Sequence, residues 1–325
     1  MNPTHFPLTY VELFAGAGGL SYGLENAGWK AIAHAEIDIQ ARDILRRHWP
    51  GVRLDYDVTQ INGTDYRGVT LISGGSPCQD LSIAGHGAGM RGARSSLFFE
   101  QARIWKESEA PLLLWENVTG ALNSNWGEDF AIVLSTLVGA QVIVPSEGWK
   151  LGGLAIGPEA LAAWRVLDLQ YFGPPQRRQR VFIVASRTGG IDPGEVLALG
   201  EGMCTHPEPF RIRETKSTGG NAKSTPVVGI DIAPTLGARD YKGPGSFING
   251  SIQGTVLQDG RLRRLTPLEC ERLMGWPDNW TAIGLRHDGT EYTLSDTARY
   301  KLIGNGCGSP QVRWIASRLA WTINN

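Results

Sequence analysis

Apolar positions in the first half of the chain switch between two periods. Tyr10-Val11-Glu12-Leu13-Phe14 is a short β-type run. The glycine-rich stretch 15–19 and a helical pattern through Leu24 follow it. Ala31 to Ile37 predicts a second strand, and Gln40–Trp49 a helix behind it. Val69–Ser73 predicts a third strand, Leu97–Glu107 a helix, Pro111–Val118 a buried strand and Phe130–Val138 another helix. Strands alternating with helices in this way predict an α/β fold, a parallel sheet covered on both faces.

The pattern changes after "YFGPPQ". Trp164–Phe172 and Arg180–Ser186 are two β-type runs close in sequence, which predicts an antiparallel pair. From Thr188 to about Gly260 the chain is rich in Gly, Pro, Ser and Thr, without helical periodicity. Helical patterning returns in "TPLECERLMG", and Gln311–Thr322 puts Val312, Ile315, Ala316, Leu319 and Ala320 on one face. The expected architecture is a large α/β domain formed by 1–187 and 263–325, interrupted by a small loop-rich domain at 188–262.

Composition narrows the class. Hydrophobic content of 42% and charged content of 19% in 325 residues are those of a soluble globular protein. No apolar run approaches the ~18 residues of a membrane span, and the N-terminus lacks a signal-type core, so a cytoplasmic protein without membrane attachment is expected. Cys78, Cys204, Cys270 and Cys307 lie far apart with no CxxC pair. That argues against a disulfide framework and against a zinc site, so no metal is expected. The net charge of −1 hides an asymmetry: residues 176–264 carry 13 Lys and Arg against 8 Asp and Glu. A locally basic part on an acidic body is compatible with a nucleic-acid-facing surface.

Four clusters carry candidate chemistry. The first, Phe14-Ala15-Gly16-Ala17-Gly18-Gly19-Leu20, follows the first strand and lets backbone approach a ligand at a helix N-terminus. Glu36 and Asp38 follow about 20 residues later, where a ribose-binding carboxylate belongs. The GxGxxG fingerprint is not met, because position 21 is Ser; this favours a nucleoside ligand other than a nicotinamide dinucleotide. The second cluster is "GGSPCQDLS", residues 74–82. Pro77 stiffens the loop, and Ser76, Gln79 and Ser82 supply hydrogen-bonding groups around Cys78, which reads either as a nucleophile or as a small buried filler. The third is Glu116-Asn117-Val118 at the end of a buried strand. The fourth is Gln176-Arg177-Arg178-Gln179-Arg180, in which strand alternation would point Arg178 and Arg180 to one face.

Taken together and in this order, these clusters resemble the DNA (cytosine-5)-methyltransferase family. "FAGAGGLS" is similar to its cofactor loop, "GGSPCQDLS" to its Pro-Cys nucleophile loop, "WENV" to its Glu-Asn-Val motif and "QRRQRVF" to its Arg-x-Arg motif. "RRLTPLECERLMGWP" and "YKLIGNGCGSP" are similar to its last two motifs, so the resemblance spans nearly the whole chain. It implies a Rossmann-like methyltransferase sheet with a target-recognition domain at 188–262, S-adenosyl-L-methionine as cofactor and double-stranded DNA as partner. Cys78 would be the thiolate that adds to carbon 6 of a flipped-out cytosine. Glu116 would bind N3 and the exocyclic amine, and Arg180, supported by Arg178, the O2 edge. Phe14, Gly16, Gly18 and Gly19 would form the cofactor loop. Glu36 would take the ribose hydroxyls and Asp57 the adenine amine, with Ile37, Pro77, Leu97 and Asn305 completing the wall.

Two departures from the family stand out. Ile37 occupies a position where an aromatic is frequent, and "GNGCGSP" is less apolar than usual. Segment 147–164 is longer than in compact members and has no assigned role. Gln79, Ser82, Thr235, Leu236, Arg239, Tyr241 and Lys242 are the expected DNA contacts, with base and phosphate readers left open among the last three. A monomer, a cognate restriction endonuclease acting on the same site, and a bacterial cytoplasmic or nucleoid location, chromosomal or phage-borne, complete the expectation. An RNA-directed member acting on tRNA would keep the same core. A nicotinamide oxidoreductase would leave Cys78, Glu116 and Arg180 without a role, and a catalytically dead DNA-binding module would not need them.

Overall fold

Two-sided burial of short apolar strands builds the central sheet. The computed structural model describes residues 7–77, 97–199, 213–215, 227–229, 233, 235–237, 247–248, 251–252, 255–258 and 261–325. Eight strands lie in the order β3-β2-β1-β4-β5-β8-β7-β6. The first five, β1 (Thr9–Leu13), β2 (Lys30–Ala35), β3 (Arg53–Asp55), β4 (Leu71–Gly74) and β5 (Leu112–Val118), are parallel. β8 (Gln179–Arg187) runs antiparallel to β5 and to β7 (Ala160–Asp168), and β6 (Gly152–Ile156) closes that edge.

Alternate residues of each strand feed two cores. Leu112 and Leu114 of β5 pack with α1 (Gly19–Glu25), α2 (Ile39–His48) and α8 (Ser309–Asn324). Leu113 and Trp115 face α3 (Leu97–Ser108) and α4 (Glu128–Val138) on the opposite side. The parallel α/β sheet covered on both faces, with helices near the expected positions, is therefore present. α8 starts two residues earlier than its periodicity suggests, because Pro310 is admitted in the first turn, where its missing N–H has no partner to lose.

Two features differ from expectation. The run 164–172 is not one strand. β7 ends at Asp168, whose Oδ1 accepts from the backbone N of Gln170 (3.4 Å) and of Arg178 (3.0 Å), and Leu169–Phe172 curls into a 3₁₀ turn. Segment 147–164 supplies β6 and the first half of β7, a hairpin that widens the sheet. Its Trp149 and Trp164 pack edge-to-face against each other and against Phe130 of α4. Glycines at 152, 153 and 157 break the β pattern there, which is why periodicity missed it. Within 188–262 the described pieces are α5 (Pro193–Leu197) and short antiparallel strand pairs: β9 (Arg213–Thr215) with β10 (Val227–Gly229), β11 (Phe247–Ile248) with β12 (Ser251–Ile252), and β13 (Thr255–Gln258) with β14 (Arg261–Arg264), which runs just past 262. α6 (Pro267–Leu273) follows, opened by a capping box between Thr266 and Glu269, then a small hairpin of β15 (Ile283–Leu285) and β16 (Glu291–Thr293), and α7 (Asp296–Asn305).

The C-terminal helix closes the large unit by seating on α1. Trp29 Nε1 donates to Ala316 O at 3.0 Å, and Ser309 Oγ to Gly19 O at 3.0 Å. A Cβ on Gly23 would lie 2.7 Å from both Ser309 O and Val312 Cβ. Overpacking such a contact costs about 1–3 kcal/mol. Gly23→Ala should therefore lower the urea midpoint by a corresponding amount with an unchanged m-value, and an unshifted midpoint would contradict this packing.

Candidate active site

Strand order reverses between β1 and β4, and in open α/β sheets a crevice forms at the carboxyl ends of strands at such a point. A cavity of about 530 Å³ opens there. Phe14 and Gly16 enter it from the loop after β1, Glu36 and Ile37 after β2, Asp57 and Val58 after β3, and Gly75, Ser76 and Pro77 after β4. Glu116 and Val118 line it from the end of β5, and Arg180 from the start of β8. Leu97 of α3 and Leu302, Gly304 and Asn305 of α7 complete the wall. Phe14 holds a left-handed backbone (φ 56°), a conformation that is sparse for a non-glycine residue and that clusters at functional sites.

The polar end of the cavity follows from register. Val118 pairs with Arg180 and Glu116 with Phe182, so Glu116 and Arg180 are diagonal neighbours on one face of the β5–β8 ladder. Arg180 Nε sits 3.0 Å from Glu116 Oε1. Burial pushes the Glu116 carboxyl above its ordinary range, while Arg180 and Arg178 pull it back. A Cβ on Gly75 would lie 2.8 Å from Glu116 Oε2, so only glycine lets the loop pass. The loop is then stitched to β5: Trp115 Nε1 donates to Ser76 Oγ (3.0 Å) and Asn117 Nδ2 to Ser76 O (3.0 Å). These bonds fix the approach to Pro77 and hence the start of the segment carrying Cys78.

At the other end, Glu36 Oε2 accepts from Gly16 N and Oε1 from Asp38 N, both at 2.7 Å. Burial raises its carboxyl as well. Asp57 Oδ1 accepts from Thr59 N (2.9 Å) and Thr59 Oγ1 (2.8 Å). Two carboxylates beside the apolar side chains of Ile37, Val58, Leu97 and Leu302 suit a ligand with a ribose, an amine and a flat ring. Ile37 is 76% exposed, an unusual setting for an isoleucine unless a ligand covers it.

Other expected site residues lie elsewhere. Gly18 and Gly19 do not line the cavity: a Cβ would meet the Trp49 ring at the first and Cys307 O and Trp276 at the second, at 2.4–2.6 Å. Arg178 does not line it either; its guanidinium turns to backbone carbonyls. Leu236 is buried in the core, and Thr235 Oγ1 donates to Arg177 O at 2.6 Å. Cys78, Gln79, Ser82, Arg239, Tyr241 and Lys242 fall outside the described residues. Tyr56 and Lys301, the latter bonded to Asp38 Oδ2 at 2.9 Å, line the cavity without having been singled out. Lys301 sits 263 residues from its partner, a pairing that no local signal announces. Cys270 and Cys307 are both buried, and burial pushes the Cys307 thiol up, with Glu116 adding to the effect, so it is not an activated nucleophile. Among the described residues no cluster of His, Cys, Asp and Glu could hold a metal, and no helix is long and apolar enough to cross a membrane.

The chain is similar to known proteins. A family profile described as C-5 cytosine-specific DNA methylase matches residues 8–217 and 210–321. The Type II methyltransferase M.Eco47II of Escherichia coli is 40% identical over 189 residues, which is 57% of this chain and 41% of that protein. A protein of Escherichia phage P1 named DNA N-6-adenine-methyltransferase is 26% identical over 97% of this chain and 61% of its own length. The chain thus spans less than two-thirds of both relatives. The solved structure of the S. pombe Dnmt2 methyltransferase superposes with a TM-score of 0.60 at 18% identity, covering 97% of this chain and 98% of that one, a likeness of fold.

A buried network under the glycine loop makes stability pH-dependent. Glu12 of β1 accepts from Ser21 N (2.9 Å) and Ser21 Oγ, and Ser21 Oγ contacts His34 Nε2 at 2.8 Å. Burial raises Glu12 from 4.5 to about 8 and lowers His34 from 6.5 to about 4. The Glu12 contribution is complete below pH 4.5 and is lost as pH rises to about 8; that of His34 is complete above 6.5 and is lost as pH falls to about 4. The two oppose each other between 4.5 and 6.5, leaving a net loss from pH 6.5 to 8. Thermal melts should show Tm falling across that window in the wild type and holding flatter in Glu12→Gln; parallel curves would remove Glu12 as the cause.

Proposed function

Because the chain belongs to the C-5 cytosine-specific DNA methylase family, we propose that it methylates carbon 5 of a cytosine in a specific duplex DNA sequence. The cofactor is S-adenosyl-L-methionine, which supplies an electrophilic methyl group when bound. The cavity fits it: Glu36 would hold the ribose hydroxyls, Asp57 the adenine amine, and Phe14, Ile37, Leu97 and Asn305 the surrounding wall.

The reading is carried by the Glu116–Arg180 pair, which lines the cavity with Gly75, Ser76 and Pro77, the residues that precede Cys78 in the chain. Carbon 5 of cytosine is a poor nucleophile. Addition of the Cys78 thiolate to carbon 6 turns the ring into an enamine, and the negative charge that develops must be met at N3. Glu116, raised by burial, is suited to hold a proton there. Arg180 would bind the O2 edge and lend positive charge beside the thiolate. Once carbon 5 carries the methyl group, loss of its proton to a water molecule lets the Cys78–carbon-6 bond break and returns the free thiolate. The target atom is unreachable within a stacked duplex, so the base must be flipped out. Methylation of an adenine amine would need neither the Pro-Cys loop nor a carboxyl that keeps its proton. The segment 188–262, with Arg239, Tyr241 and Lys242, is the proposed target-recognition domain, and the proposed setting is the bacterial cytoplasm.

Cys78→Ser should lose several orders of magnitude in tritiated-methyl transfer to duplex DNA, because a serine hydroxyl is hardly ionised at neutral pH. DNA carrying 5-fluorocytosine in the target site should trap a covalent adduct, since fluorine blocks the elimination. Mass spectrometry placing that adduct on Cys204, Cys270 or Cys307 would overturn the assignment. Glu116→Gln should retain DNA binding but lose most turnover; a rate within a few-fold of wild type would remove Glu116 from the reaction.

A further inference from the structure

Arg178 is only 1% exposed, and among the described residues no carboxylate is bonded to its guanidinium. Its guanidinium donates to three backbone carbonyls from two distant parts of the chain. Nη1 reaches Leu236 O at 3.0 Å. Nη2 reaches Gly304 O at 3.2 Å and Gly306 O at 2.5 Å. Gly304 and Asn305 line the cavity, at the C-terminal end of α7, where carbonyls concentrate negative charge that favours a cation. Leu236 lies in the insert beside Ala233 and Thr235, which are laid against 175–178 by their own bonds. Arg177 N donates to Ala233 O (2.8 Å), Ala233 N to Pro175 O (2.7 Å) and Thr235 Oγ1 to Arg177 O (2.6 Å). Gln311 Nε2 holds the far side through Leu167 O at 2.8 Å and Arg178 O at 3.4 Å.

We propose that Arg178 is a positioning residue that makes the 304–306 turn at the cavity wall depend on docking of Ala233, Thr235 and Leu236 of the insert, so that the two act as one unit. A buried guanidinium has no water to fall back on. If Thr235 and Leu236 shift, Leu236 O leaves, and the cation must rearrange toward the two carbonyls of the wall. The wall moves with it. The consequence is that contact of DNA with the insert is felt at the cofactor cavity, and cofactor binding at the insert, by the same factor. This inference rests on the reading of the cavity as the methyl-donor site.

The test uses a residue that touches neither the cavity nor Arg178's own side chain. Thr235→Val removes one hydrogen bond that docks the segment, and Ser135→Ala removes a comparable hydroxyl, bonded to Ala131 O and Val142 N, on the opposite face of the sheet. Affinity of the full chain for S-adenosylhomocysteine is measured calorimetrically without DNA. Amide hydrogen exchange is followed over 302–308 with no ligand present. Thr235→Val is expected to weaken binding about three- to tenfold, the span of one hydrogen bond, and to speed exchange at 302–308. Ser135→Ala should do neither. Arg178→Lys, which keeps the charge but cannot reach three carbonyls at once, should weaken binding at least as much. Wild-type exchange and affinity in Thr235→Val would overturn the link, even if Arg178→Lys binds poorly. Should the wild type bind no S-adenosylhomocysteine, the cavity reading fails, and the exchange at 302–308 alone decides whether the link exists.

Discussion

A carboxyl and a guanidinium buried together at the joined ends of two antiparallel strands constrain everything around them. Glu116 and Arg180 meet at 3.0 Å in a place where neither finds much water. Such a pair is weak evidence of stability, because the desolvation of two ions offsets much of their attraction. Removing one partner, however, leaves a buried charge and costs about 3–5 kcal/mol. The neighbours obey that constraint. Gly75 must be glycine to pass Glu116, and Ser76 is bonded to both Trp115 and Asn117 on the strand that carries the carboxyl. The loop leading to Cys78 is therefore set by the same strand that supplies the acid.

The second arginine shows how the fold keeps two like charges close. Arg178 and Arg180 lie two residues apart, and the charge of Arg180 disfavours that of Arg178. Burial, with Arg180 beside it, lowers the Arg178 guanidinium to about 9. The structure answers with carbonyl oxygens rather than a second carboxylate: two at the end of α7 and one from the insert. A carboxylate placed there would compete for Arg180 and weaken its hold on Glu116. Neutral acceptors take up both Nη groups, though not the buried Nε, without disturbing the Glu116–Arg180 pair, and they fasten three parts of the chain to one point.

The sheet arrangement makes both features available. A purely parallel sheet would carry β5 away from any strand starting at the same edge. Reversal of β8 brings the first residues of one strand beside the last residues of another, so Arg180 arrives opposite Val118 at the carboxyl edge. The hairpin of β6 and β7 then gives β8 a partner on its far side and buries its apolar residues on both faces.

Residue types and spacing alone determined much of this protein. Two-residue and 3.6-residue apolar periods marked four of the five parallel strands and the helices behind them, missing the three-residue β3, and glycine, proline and charged residues at strand ends marked where chemistry sits. Phe14, Gly16, Glu36, Glu116 and Arg180 were legible because each is local to the end of one element, and the topology of an open sheet brings such ends together; Asp57 was reached only through the family resemblance. What only the tertiary structure decided is which partner a long side chain chooses. Arg178 shares strand parity with Arg180, yet it reaches carbonyls 58, 126 and 128 residues away. Gly18 and Gly19 read as ligand glycines but sit against tryptophan rings from α2 and from the turn after α6. Tyr56 and Lys301 line the cavity, the second from within "YKLIGNGCGSP", although their types and spacing mark no role for them. The physical reason is common to all: periodicity and turn chemistry are properties of neighbours in sequence, whereas the environment of a buried cation or a glycine Cβ is set by chain segments that only folding brings into contact.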